Sequence, residues 1–242
     1  MNPIEMGVAE LFENAAIKPQ PTSAWRRSWH GSKVLHELLI EVFIAPLRKS
    51  SRYSGELRSA VTRVGYRLEL SLASDLPVRF SVIHVGIRGG KLIEWVNRRR
   101  GLLRVPHPVA ESHGFEVWCS DAEWAGRLLD ITEVSSAIIR LGTCEQDDAK
   151  LGHPCVFISP LQANYYRRAA SLSRFNALNA YLEDLVTVYR CAQDLPPPLI
   201  SSTSTGFERL AVDNPLIVGG LIVFSLIILI PALLLGMIFL FI

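Results

Sequence analysis

Cysteine is scarce, with four in 242 residues, and no two of them form a Cys-x-x-Cys pair. A zinc knuckle or a dithiol redox site needs that local spacing, so neither chemistry is written in the sequence. Cys119, Cys144, Cys155 and Cys191 are too few for the dense disulfide framework of a small secreted module. They are expected to be reduced and mostly packed as small apolar groups. His-Glu-x-x-His and Gly-x-Ser-x-Gly, the marks of a zinc hydrolase and of a serine nucleophile, are both missing. Gly31-Ser32-Lys33 lacks the upstream glycine and the Lys-Ser/Thr order of a phosphate loop. Asn-x-Ser/Thr does not occur. On these grounds no catalytic residue, metal ligand or cofactor is assigned.

Charge is the other absence, and it is local. Residues 215–242 contain no charged side chain, and Ser225 carries their only hydroxyl. At about 1.5 Å per residue a helix of this length spans more than the roughly 30 Å hydrocarbon core of a bilayer. One transmembrane helix is expected here. Gly219, Gly220, Pro231 and Gly236 lie inside it; such residues are tolerated in lipid, and Gly219, Gly220 and Gly236 allow close approach of a neighbouring helix. The N-terminal residues Met1-Asn2-Pro3-Ile4-Glu5 show neither a basic n-region nor an apolar h-region. The expectation is therefore a tail-anchored, single-pass protein of the inner (cytoplasmic) membrane, with its N-terminal domain in the cytoplasm. The lipid bilayer is one partner, and a membrane protein or a second copy of the chain is another.

What is present is unevenly placed. Residues 24–110 carry sixteen Lys/Arg against six Asp/Glu, whereas residues 111–242 carry eight against fourteen. The stated net charge of +2 thus hides a basic first half and an acidic second half. For a tethered domain the nearest anionic surface is the lipid leaflet. Trp25, Arg26, Arg27, Trp29 and Lys33 have the aromatic and basic composition of a headgroup boundary, and Arg98, Arg99, Arg100 and Arg104 form a second basic cluster. These nine residues are the candidate contacts with membrane or partner. An ordinary solvated surface, with the tryptophans packed on the core, has the same composition. No nucleic-acid motif accompanies the charge, and no nucleic acid is expected.

Periodicity supplies the elements. Ile4, Val8, Leu11, Phe12 and Ala15 predict a short amphipathic helix. Leu35, Leu38, Leu39, Val42 and Phe43 predict another helix from Lys33 to Ala45, stopped by Pro46. Val64–Leu72 alternates as a strand, Val78–Ile87 reads as a second, and Gly89-Gly90 as a hairpin turn into a third at Lys91–Val96. Further strands are expected at Leu102–Val105, Phe115–Cys119 and Val156–Ile158. Ser120 and Glu123 have capping-box spacing before a helix, Thr132 to Gly142 predicts the next, and a long helix is expected from Ala169 to Ala192. The fold class is α+β, an antiparallel sheet flanked by helices plus one C-terminal transmembrane helix. Its parts are residues 1–23, an N-terminal helix and linker; 24–195, the cytosolic domain; 196–214, a Pro/Ser/Thr-rich tether; and 215–242, the membrane helix.

The strand hairpin, then Phe115-Glu116-Val117-Trp118-Cys119-Ser120-Asp121, then Ala125 and Leu128-Leu129, resembles a group of uncharacterised bacterial membrane-anchored proteins. The resemblance covers about residues 64–160. It implies a fold and a location and transfers no active residue.

Two weaker constellations remain. Cys144, His153 and Cys155 offer soft zinc ligands, with a fourth to be borrowed from Cys119, His113 or His107. Cys119 beside Asp121, with His113 nearby, offers a thiolate pair with an orienting carboxylate. The expected function is a non-enzymatic interaction or assembly domain, an accessory or regulatory subunit of a membrane complex. The alternatives are a membrane-tethered enzyme built around Cys119, His113, Cys155 and His153, or an effector that perturbs the membrane.

Overall fold

Alternation of apolar and polar residues builds one sheet. The computed structural model describes residues 3–20, 28–52, 59–85 and 90–213. The strands are β1 (Lys18–Gln20), β2 (Trp29–Leu35), β3 (Leu38–Arg52), β4 (Ser59–Ala73), β5 (Phe80–His84), β6 (Leu103–Val105), β7 (Phe115–Cys119), β8 (Cys155–Ile158) and β9 (Gln162–Ala169). They join in the order β1-β2-β3-β4-β9-β8-β5-β7-β6, and every neighbouring pair is antiparallel. The helices are α1 (Pro3–Asn14), α2 (Gly90–Arg99), α3 (Pro108–Ser112), α4 (Ala122–Asp130), α5 (Thr132–Gly142), α6 (Gln146–Leu151), α7 (Leu178–Asp194) and α8 (Gly206–Asp213), with a 3-10 turn at Leu172–Phe175.

One face of the sheet carries the core. Val42 on β3 pairs with Leu70 on β4, Leu70 with Tyr165 on β9, Tyr165 with Val156 on β8, and Val156 with Val82 on β5, so a row of buried side chains crosses five strands. Helices bury their own apolar stripes in this same core: Val8, Leu11 and Phe12 of α1, Trp124 and Leu128 of α4, Ile138 and Leu141 of α5, and Leu182 and Leu185 of α7. Burying each such side chain is worth about 1.5–3 kcal/mol. Arg140 of α5 donates from Nε to both carboxylate oxygens of buried Asp184 on α7, each at 3.1 Å, locking the two helices together. The opposite face is thinner, with a small cluster of Ile83, Leu102, Trp118 and Cys155 under the end of α2.

The antiparallel α+β architecture stands as expected, and three elements differ. Lys33–Ala45 is a hairpin, because β2 and β3 pair from Trp29↔Ile44 to Leu35↔Leu38. Its turn places His36 at φ 49° and Glu37 at φ 69°, the two positive angles of a type I′ turn without the usual Asn-Gly. Lys91–Val96 lies in helix α2, where Glu94 and Arg98 bond at 2.7 Å across one turn. The helix expected from Ala169 begins only at Leu178, since Gln162–Ala169 forms β9 between β4 and β8. The cap of α4 sits one residue later than expected. Asp121 accepts the Trp124 N–H at 3.1 Å, while Ser120 Oγ accepts from the Arg79 N–H at 3.2 Å.

The chain divides into a first unit, Met1–Ser202, and a second, Thr203–Ile242. Within the expected tether α8 opens with a reciprocal capping box: the Thr205 N–H donates to Glu208 Oε2 at 2.9 Å and the Glu208 N–H to Thr205 Oγ1 at 3.2 Å. The expected transmembrane helix, with Gly219, Gly220 and Gly236, lies outside the described residues. Among the described residues no helix is long and apolar enough to cross a membrane.

Candidate functional site

The Arg98–Arg104 cluster takes its geometry from how α2 stops. Gly101 sits at φ 73°, the Leu102 N–H donates to Asn97 O at 2.9 Å, and the Gly101 N–H donates to Arg98 O at 3.0 Å. This is a Schellman closure, and it sends Leu102 inward against Ile83 and Trp118 while leaving the arginines outside. Arg98, Arg99 and Arg100 therefore occupy a helix C-terminus, where free carbonyls already favour cations. Arg98 pairs with Glu94, and the Arg99 guanidinium lies 5.2 Å from the Trp95 ring centre. Trp95 is 55% exposed and Leu103, at the sheet edge, 54%, so the surface is aromatic and apolar as well as basic. Arg104 is engaged elsewhere, 3.8 Å from both Glu111 and Glu116.

The described candidates on β2, Trp29 and Lys33, lie far off. Trp25, Arg26 and Arg27 are outside the described residues. Trp29 packs against the main core, and Lys33 Nζ donates to Asn179 Oδ1 at 2.8 Å, whose amide in turn donates to Asn14 O at 3.2 Å. Lys33 thus fastens β2 to the starts and ends of two helices. Seven strand-to-strand steps separate β2 from β6, about 34 Å at the usual spacing. The structure does not gather the described candidates into one surface.

The cysteine constellations come apart on the sheet. Cys119 is fully buried on the core face, and burial pushes its thiol up to about 11. Cys155 sits on the opposite face and is pushed up to about 12 by burial. His113 spends Nδ1 on Val109 O at 2.9 Å and on Ser112 Oγ at 3.1 Å. Cys144 Sγ reaches His153 Nδ1 at 3.9 Å, and the His153 ring stacks on His84 at 3.9 Å, 11° from parallel. Burial, and then the His84 charge, lower the basicity of His153. Among the described residues no group of three His, Cys, Asp or Glu side chains is placed to hold a metal ion.

Asp121, paired with Cys119 in the sequence reading, has a different task. Besides capping α4 it accepts the Leu199 N–H at 2.7 Å and the Ile200 N–H at 3.3 Å. Burial works against its charge, but the N–H groups of Trp124, Ile200 and Leu199 outweigh burial and hold the carboxyl below the ordinary carboxylate range. The Ser202 N–H continues the attachment by donating to Pro77 O at 2.7 Å. Beside this strap is a cavity of about 280 Å³, lined by Asp75, Trp124, Gln193, Pro197 and Pro198 among others. The Tyr189 hydroxyl donates to Asp75 Oδ1 at 3.1 Å and receives Gln193 Nε2 at 3.3 Å, next to that opening. A space this small, with its polar groups bonded to one another, sits at the lower limit for a small-molecule site.

Sequence reasoning missed Trp95, placed inside an expected strand, and the Asp121 strap, which pairs residues 78 positions apart. Only the first left a local signal, an aromatic residue four before an arginine on a helix. Comparison with protein-family models, with curated proteins and with solved structures finds no match for the chain.

Proposed function

We propose that the protein is a single-pass membrane protein that presents an α+β interaction domain on the cytoplasmic side, as an accessory or regulatory subunit of a membrane complex. The observation that carries the reading is the run 215–242, which holds no charge and can cross a bilayer once. The domain supports it in two ways. The thiols Cys119, Cys144, Cys155 and Cys191 are all free, as a reducing compartment would keep them. The α2 end offers exposed Trp95 and Leu103 beside Arg99 and Arg100, the mixed aromatic, apolar and basic surface that suits a headgroup boundary or a protein partner.

The test is alkaline extraction of membranes from cells expressing the full chain, followed by mild-detergent purification and mass spectrometry. A chain ending at Ser202 serves as the comparison. The full chain stays in the pellet and brings defined membrane proteins, or a second copy of itself, in stoichiometric amount; the shortened chain does neither. Release of the full chain into the soluble fraction rejects the anchor. Retention with no stable partner rejects the subunit role.

A further inference from the structure

We infer that the cavity at the end of α7 is a binding site for a small organic cation, a primary alkylammonium whose charged end meets Asp75 and whose carbon chain lies along the prolines of the strap. The inference goes beyond the membrane attachment proposed above and does not depend on it, since every residue lining the cavity belongs to the first compact unit.

The negative end of a helix is left open here. The last four carbonyls of an α-helix have no intrahelical partner, and donors from the residues that follow normally satisfy some of them. After α7 the chain runs Leu195-Pro196-Pro197-Pro198, and proline has no N–H to give. Among the described residues no backbone N–H from beyond the helix is bonded to the carbonyls of residues 191–194. The last turn of α7 has no basic side chain either. The preference of this terminus for a cation is therefore unanswered by its own helix.

The cavity opens at that terminus, with Gln193 and Leu195 in its wall. Asp75, from the connection between β4 and β5, lines it as well. Tyr189 positions both polar groups, because its hydroxyl donates to Asp75 Oδ1 and accepts from Gln193 Nε2. That network leaves Asp75 Oδ2 and Gln193 Oε1, two acceptors, with no partner among the described residues. Both side chains are exposed and stand at the rim, while Leu76 and Trp124 are buried beneath. No basic residue lines the space. Acceptors without donors, one of them a carboxylate, beside the negative end of a helix select a cation. The apolar walls, Pro197 and Pro198 among them, select one that carries a carbon chain. A bare metal ion fits less well, since among the described residues no group of three His, Cys, Asp or Glu side chains is placed to hold one. At about 280 Å³ the space falls just below the range that holds drug-sized ligands, so the occupant is small.

The probe is n-butylammonium, measured by equilibrium dialysis against the purified full chain in mild detergent, with detergent alone as the blank and n-butanol as the neutral counterpart. The ammonium should bind at least about tenfold more tightly than the alcohol. Asp75→Asn keeps an acceptor for Tyr189 and removes the charge, so it should weaken ammonium binding by about tenfold with an unchanged melting temperature. Gln193→Leu removes the second acceptor and should weaken binding by about threefold; it decides the test if Asp75→Asn also lowers the melting temperature. Glu183→Gln, which neutralises an exposed carboxylate further up α7, should change nothing. An equal loss there would reduce the effect to general charge attraction and overturn the site. Equal binding of alcohol and ammonium, or no loss in either cavity variant, overturns it as well. None of these results bears on the anchor, which alkaline extraction tests by itself.

Discussion

Asp121 shows how one buried carboxylate can serve two elements. It is 4% exposed, caps α4 and receives two backbone N–H groups from the strap after α7. Asp121→Ala removes the acceptor for three donors and should lower stability by roughly 2–3 kcal/mol, read as a fall in the thermal midpoint. The pH dependence has a definite sign. The carboxyl is held below its ordinary range in the folded chain, so its contribution is complete above the unfolded value of about 3.9 and is lost as pH falls through the lower folded value. The gap between wild type and variant should therefore close in acid denaturation at pH below about 4 and be full at neutrality. A gap that persists unchanged into that acid range would mean the carboxylate charge plays no part.

The hairpin of β2 and β3 shows why some elements were legible and this one was not. Phe115–Cys119 and Thr132–Gly142 are found with the bounds read from sequence, because alternation in the first and a Thr start with a Gly stop in the second agree with their final packing. Leu35, Leu38, Leu39, Val42 and Phe43 also satisfy helical spacing, and nothing local breaks the run. The turn that does break it consists of His36 and Glu37, residues with no preference for positive φ. β9 hid for the related reason that Arg167, 6% exposed, occupies a core-face position that reads as surface. It is held there by Thr143 O at 2.8 Å and by the Tyr181 ring, partners 24 and 14 residues away. The strain at the turn is open to experiment. His36→Asn/Glu37→Gly restores the residues that a type I′ turn favours and should raise stability by about 1 kcal/mol in chemical denaturation. No gain, or a loss, would show that the positive angles are already relieved by the pairing of Leu35 with Leu38.

At the scale of the whole molecule the question is where the folded unit ends. Composition places the end of the domain at Leu195, before Pro196-Pro197-Pro198, because a Pro-rich run cannot extend α7. The first compact unit instead runs to Ser202. The difference is physical: Leu199, Ile200 and Ser202 each give a backbone N–H to the domain, two to Asp121 and one to Pro77, and such long-range bonds leave no mark on local periodicity. Leu199 and Ile200 are 80% and 58% exposed, so it is their backbone and not their side chains that binds. A chain ending at Leu195 keeps every helix and strand of the unit but leaves buried Asp121 with its α4 bond alone. It should melt below a chain ending at Ser202 by roughly 4–8 °C, the shift expected for about 2 kcal/mol in a domain of this size. The same comparison in the Asp121→Ala background separates the causes. If the strap acts through the carboxylate, the two truncations should then melt much closer together, because the shared bonds are already gone. Equal melting of the two truncations in the wild-type background would show that the strap adds nothing, and the boundary read from the prolines would be the right one.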